Sequence, residues 1–211
     1  MSVHSVYARL SPIFRRRRMR RFLEVIAPRA GERLLDVGGT AGFWADAGLA
    51  ARLTLLNRDT VAAGPNAAEI EFVAGDGCAL PFADGAFEVV FSNSVIEHVG
   101  TWGQQQAFAA EARRVGRRLW VQTPAREFFI EPHLIAPFIH WLPRTWQRRL
   151  MRNFTVRGWI ERPDAEAVDA FLAEVRLLTL AEMHALFPDC TILRERFLGL
   201  TKSYIAVRTA S

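Results

Sequence analysis

The sequence predicts an α/β fold built on a mostly parallel sheet, and three observations carry that prediction. Short apolar runs with strand character alternate with stretches of helical periodicity. The first strand runs through Gly38-Gly39-Thr40-Ala41-Gly42 directly into a helical stretch. Two final strands, 191–197 and 203–207, are separated by so few residues that they must be antiparallel, because a parallel pair needs a longer crossover.

Taken in order, residues 12–27 read as a helix. Met19, Phe22, Leu23 and Ile26 recur at helical spacing, and arginines fill the positions between them. Residues 28–32 form a turn, and the periodicity then changes to the apolar run 33–37, which suits a buried parallel strand. A helix can begin at Phe43 and continue to Ala50. Further strands are predicted over 52–56, 70–73, 87–91 and 118–122, with a helix over 104–115 before the fifth. The segment from Arg126 to Pro163 breaks the alternation. It is aromatic and interrupted by Pro132, Pro137, Pro143 and Pro163, and reads as an insertion of short helices, one opening at Pro143. Asp164 is positioned to cap a helix over 164–175, and Thr179 with Glu182 forms a capping box for another that stops near Phe187. Residues 198–202, including Gly199, are expected to form the loop between the last two strands. The organisation expected is one domain over 1–211, with a basic N-terminal helix within 1–30 and a helical insertion or substrate cover over 126–175.

Composition limits the class of protein. Half of the 211 residues are hydrophobic, enough to build a substantial core. No stretch approaches the roughly 20 uncharged apolar residues of a membrane-spanning helix. The first residues lack the charged and apolar regions of a secretory signal. Cys78 and Cys190 lie far apart without metal-ligand spacing, so two reduced thiols and a cytoplasmic setting are expected. The net charge of +5 is concentrated in two arginine clusters, one over 15–21 and one comprising Arg144, Arg148, Arg149 and Arg152. Such clusters are either solvated helix faces or sites that meet phosphates, anionic lipid or an acidic substrate.

Four segments carry the chemistry. In 34–42, glycines at a strand-to-helix turn let backbone approach a ligand closely, and Asp36 can accept hydrogen bonds from the loop or from an ammonium group. In 55–59, Asn57 occupies the strand end where an adenosine-binding sheet usually places an acid for the ribose hydroxyls. Asp59 follows two residues later and can substitute if the strand end turns. In 72–82, Asp76 stands on a small-residue loop where it can accept from an adenine amino group, beside Gly77 and Cys78. In 87–99, a buried strand gives way to Ser92, Asn93, Ser94, Glu97 and His98 at the sheet's carboxyl edge.

The order Asp36-Val37-Gly38-Gly39…Gly42, then Gly75-Asp76-Gly77-Cys78-Ala79-Leu80-Pro81-Phe82, then Phe87-Glu88-Val89-Val90 and Ser94-Val95-Ile96-Glu97-His98-Val99 resembles class I S-adenosylmethionine-dependent methyltransferases. More narrowly, it is similar to the type 11 branch, which includes quinone-biosynthesis enzymes. The resemblance covers about 33–124 and agrees with the closing strand pair. It implies a Rossmann-like, seven-stranded, mostly parallel sheet with an antiparallel last strand, the helical insertion following the fifth strand. It also implies S-adenosyl-L-methionine as cofactor, with Asp36, Gly38, Gly39 and Gly42 around its methionine part and Asn57 at the ribose. Asp76, Gly77 and Cys78 then fall at the adenine, and Ser92 or Asn93 beside the methionine end. Thr40 stands where the family commonly has glycine, and Asn57 where it has an acid.

Methyl transfer from a sulfonium needs proximity, orientation and in some cases a base. The candidate bases are His98, His133 and His140. Some quinone O-methyltransferases resembling this group hold a metal with an acid three residues before the Glu-His pair. That position is Ser94 here, so no metal site is expected. Phe128, Phe129 and Trp141 can shape an acceptor pocket. With the arginines, they point to a small-molecule, lipid-linked or glycan acceptor and to contact with an anionic membrane surface, and no specific nucleic acid is expected. Two other readings compete. One is a nicotinamide-dependent oxidoreductase, against which the Asp76 loop and the antiparallel ending weigh. The other is a catalytically silent domain that binds nucleic acid or membrane.

Overall fold

In the computed structural model, residues 16–45, 47–59 and 70–209 are described. The helix expected over 12–27 is helical over 16–26 (α1), and its predicted start at 12–15 lies outside the described residues. Strand β1 (Arg33–Val37) leads into α2 (Ala41–Trp44), followed by β2 (Arg52–Asn57), β3 (Ile70–Ala74) and β4 (Phe87–Asn93). A 3-10 turn over Ile96–His98 precedes α3 (Trp102–Val115) and β5 (Gly116–Pro124). The sheet is completed after α7 (Leu180–Leu186) by β8 (Thr191–Phe197) and β9 (Leu200–Arg208).

All seven expected strands join one sheet, ordered β3-β2-β1-β4-β5-β9-β8. The pairs from β3 to β5 are parallel, and only β9 runs against its neighbours β5 and β8. This is the Rossmann-like, seven-stranded, mostly parallel sheet with an antiparallel last strand that the sequence led us to expect. Alternate side chains on each strand feed opposite faces, as the two-residue period requires. Leu35, Val90 and Val121 pack with Phe108 of α3 and Met183 of α7. Leu34, Val89 and Trp120 pack on the other face with Phe22 and Ile26 of α1.

Several boundaries differ from the sequence reading. The expected helix over 43–50 is one turn, Ala41–Trp44, and Gly48 beyond it has φ of +60°. Strands β4 and β5 extend further, because Ser92 and Asn93 pair with Val121 and Gln122 although polar residues there read as loop. The loop expected over 198–202 shrinks to Leu198-Gly199, since Phe197 pairs with Leu200 and Arg196 with Thr201.

The insertion after β5 begins with a ribbon, β6 (Ile130–Glu131) against β7 (Ala136–Pro137), which the sequence did not signal. A 3-10 turn over Ile139–Trp141 follows, then α4 (Arg144–Phe154), α5 (Val156–Glu161) and α6 (Ala165–Glu174). Leu134, Ile139, Met151, Val168, Phe171 and Leu172 form a small core of its own. Asp164 caps α6 by accepting from Ala167 N, and the Thr179–Glu182 capping box opens α7, both as expected.

Helix α1 does more than expose arginines. Arg18 is buried and donates to Asn93 Oδ1 at 2.6 Å, to Gln122 Oε1 at 3.0 Å and to Glu195 Oε2 at 2.6 Å. It ties the helix to the ends of β4, β5 and β8.

Candidate active site

Because β1 to β4 are parallel, their carboxyl ends emerge at one edge, and a cleft of about 380 Å³ opens there. Sites for small ligands occupy roughly 300–1,000 Å³. Val37 ends β1 and Gly38 follows it, Leu56 and Asn57 end β2 with Arg58 and Asp59 beyond, and Gly75, Asp76 and Gly77 follow β3. Val95, His98 and Val99 come from the turn after β4, Phe108 from α3 and Glu174 from α6. Gly38 has φ of +81°, and a Cβ there would approach Val95 Cγ2 to 2.5 Å, so glycine is required by both backbone and space. Asn57 Nδ2 donates to Gly39 O at 2.9 Å, fixing the glycine loop. Asp76 Oδ1 accepts from Cys78 N at 2.9 Å, which sharpens the turn after β3.

Thus five predicted residues, Gly38, Asn57, Asp76, Gly77 and His98, share one cavity. Asp36, Gly39, Gly42, Cys78, Ser92 and Asn93 are not among the residues that line it. Asp36 lies beneath the loop, where Trp44 Nε1 donates to its Oδ2 at 2.7 Å and its Oδ1 has no hydrogen-bond partner among the described residues. Burial pushes this carboxyl up to about 7, although the Trp44 bond pulls the other way. A Cβ at Gly39 would lie 1.7 Å from Asp36 Oδ2, whereas Gly42 in α2 meets nothing within 4 Å. Ser92 is buried and donates to Val37 O at 3.0 Å, and Asn93 is taken by Arg18. Cys78 Sγ lies 3.3 Å from Gln104 O, and burial with the Asp76 charge pushes the thiol up to about 11. These side chains frame the cleft, as strand alternation dictates for Asp36 beside Val37.

The three histidines part company. His98 lines the cleft, with Nδ1 3.2 Å from Glu174 Oε1. His133, from the turn between β6 and β7, meets it edge-on with ring centroids 4.6 Å apart. Glu131 Oε1 is 2.7 Å from His133 Nδ1, and Glu97 Oε1 is 4.0 Å from Nε2. Burial would lower the His133 pKa, but the Glu131 hydrogen bond and the charges of Glu131 and Glu97 raise it overall. Glu97 is fully buried and accepts from Thr123 Oγ1 at 2.9 Å through Oε2, while Oε1, facing His133, has no hydrogen-bond partner among the described residues. His140 is apart from this group, its Nε2 lying 2.9 Å from Arg126 O.

Glu97, His98 and His133 offer donor atoms within 4.8 Å of one another, so these described residues could hold a metal ion. The expectation of no metal rested on Ser94, whose hydroxyl instead donates to Gln122 Oε1 at 2.9 Å. The third donor comes from the insertion, a proximity that sequence spacing cannot reveal. Glu174, Val95 and Phe108 likewise join the cleft through tertiary packing and carry no motif of their own.

A family model described as a methyltransferase domain matches residues 35–118. The chain is 30% identical over 190 residues to the ubiquinone/menaquinone biosynthesis C-methyltransferase UbiE of Paracoccus denitrificans, covering 84% of this chain and 70% of that enzyme. An uncharacterized methyltransferase of Mycobacterium marinum is 42% identical over 77 residues, but the match spans only 33% of this chain and 30% of that protein. Among solved structures, a Rhodobacter sphaeroides protein described as a zinc-dependent alcohol dehydrogenase aligns with a TM-score of 0.59. That alignment covers 92% of this chain and 90% of the other at 14% identity, a likeness of fold alone.

Proposed function

From the premise that this chain belongs to the type 11 family of class I S-adenosylmethionine-dependent methyltransferases, we propose that the cleft at the carboxyl ends of β1 to β4 is its cofactor site and that His98 serves as its base. The observation that carries this reading is the convergence of Gly38, Asn57, Asp76 and His98 on one cavity. Bound there, S-adenosylmethionine supplies a methyl group already activated by its sulfonium.

The residues present suit that molecule. Val37, Leu56, Val99 and Phe108 offer apolar wall for a flat ring. Asp76 is an acceptor for an amino group, and Asn57 and Asp59 are acceptors for hydroxyls. The glycine loop admits close approach of backbone N–H groups. His98 holds its proton-accepting ring at the cleft wall, where Glu174 facing Nδ1 sets the ring's orientation. His133, between Glu131 and Glu97, buttresses His98 from behind. The acceptor is a small molecule, a lipid-linked compound or a glycan whose methylated atom gives up a proton. The quinone-biosynthesis name of the Paracoccus relative supports the lipid-linked class.

Thermal unfolding with S-adenosylhomocysteine and with NAD tests the cofactor reading. The expected result is a raised midpoint with the first and none with the second, and preference for NAD would overturn it. Transfer from methyl-labelled S-adenosylmethionine into lipid, small-molecule and glycan extracts then tests the chemistry. His98→Gln should retain the S-adenosylhomocysteine-induced shift while losing label transfer about 10²-fold or more. Undiminished transfer by that variant would remove His98 from the reaction.

A further inference from the structure

Among the described residues, two exposed bulky apolar side chains stand on left-handed backbone outside the strands and helices. Phe138 has φ of 60° and is 52% exposed, and Leu198 has φ of 50° and is 81% exposed. Leu198 and Gly199, with φ of 80°, close the β8–β9 hairpin, and a two-residue turn with both centres at positive φ favours Asn, Asp or Gly. Asparagine at either position would relax the backbone and remove apolar surface from water. Folding alone therefore disfavours the residues found at both places.

The two positions belong to one surface. Ring centroids run from Phe197 to Phe128 (6.5 Å), to Phe129 (4.9 Å), to Phe138 (6.1 Å) and to Trp141 (5.2 Å). Trp141, Leu142 and Trp146 continue it as exposed apolar side chains. Exposed arginines stand on the same segments: Arg149 lies 6.0 Å from the Trp146 ring centroid, Arg126 and Arg144 flank the aromatic stretch in sequence, and Arg196 precedes Phe197. Arg196 also lines a cavity of about 170 Å³ together with Arg17, Arg18, Arg21 and Arg194, with Glu195 as its acid. Leu198 follows the carboxyl end of β8, which runs in the same direction as β1 to β5, the insertion that carries Phe138 leaves the carboxyl end of β5, and Ala125 N donates to Lys202 O at 2.9 Å where the segments meet. The surface thus lies at the same edge of the sheet as the cleft.

We propose that this face docks on an anionic lipid bilayer. Phe138, Trp141 and Leu198 enter the boundary between headgroups and acyl chains, and the arginines meet lipid phosphates. Aromatic side chains suit that boundary, and a basic rim suits an anionic leaflet. Charge complementarity selects this occupant over an uncharged apolar partner. Docking of this face is independent of which acceptor the cleft takes.

The test is co-sedimentation of the full chain with phosphatidylcholine vesicles, with and without phosphatidylglycerol, at low and high salt. The wild type should pellet with the anionic vesicles only and be released by salt. Phe138→Asn and Leu198→Asn should fold at least as stably, yet each should weaken binding about tenfold or more. Absence of wild-type binding, or equal binding by both variants, would overturn the proposal. Concentration-dependent dimerisation abolished by Leu198→Asn, seen by sedimentation velocity, would reassign the face to a second copy and also overturn it. The midpoint shift with S-adenosylhomocysteine, measured on the same preparations, reports the cleft separately.

Discussion

Beneath the glycine loop, burial holds the Asp36 carboxyl at about 7, against 3.8 for an ordinary aspartate. The folded chain therefore binds this proton more tightly than the unfolded chain. The resulting stabilisation is complete below the unfolded value and is lost as pH rises toward the folded one, at about 1.4 kcal/mol for each pH unit crossed. Asp36→Asn keeps an acceptor for Trp44 and removes the titration. Urea unfolding should show wild-type stability falling between about pH 4 and 7 relative to the variant, and parallel profiles would contradict the assignment. At the cleft, Asp76→Ala removes a carboxylate that shapes the turn and faces the cavity. Affinity for S-adenosylhomocysteine should fall about tenfold or more, with an unchanged far-ultraviolet spectrum, and calorimetry reads it directly. Asp76 was legible because an acid on a glycine loop after a strand is a local pattern. The burial of the Asp36 carboxyl was not, since it depends on Trp44 folding over the face to which alternation turns it.

Helix α1 holds the sheet by two devices of different legibility. Phe22 packs edge-on against Phe91, Trp120 and Trp44, at centroid distances of 4.9, 5.6 and 5.8 Å. Helical periodicity identified Phe22 directly. Arg18 carried no such signal, because one arginine within a run of arginines looks like its neighbours. Only the fold brings it to Asn93, Gln122 and Glu195. Phe22→Ala should cost about 3–5 kcal/mol by chemical denaturation. Arg18→Met, which leaves Glu195 facing the sheet without its partner, should cost about 3–5 kcal/mol. The Arg18→Met, Glu195→Gln double variant should recover part of that loss, and strictly additive losses would show that the pair is not coupled. The tight β8–β9 turn escaped the sequence for the opposite reason: Leu198 stands where turn chemistry calls for another residue.

Across the molecule, what could be read from the sequence follows the range of the forces involved. The strand segments, the parallel sheet and the antiparallel ending came from local periodicity and connection length, and the sheet contains each expected strand, whereas the order of the strands across the sheet comes from the structure. The four glycine and acid motifs were local too, and their meeting at one edge follows from parallel topology. The approach of His133 to His98 was not legible, because it needs an insertion with its own core to fold back over the turn after β4. No helix among the described residues is long and apolar enough to cross a membrane. Cofactor binding at the sheet edge requires four strand ends to surround one adenosyl compound. A crystal structure of the chain grown with S-adenosylhomocysteine decides this. The predicted result is ligand density in the cleft touching Gly38, Asn57, Asp76 and the wall beside His98. Density at another surface, with that cleft holding only water, would contradict it.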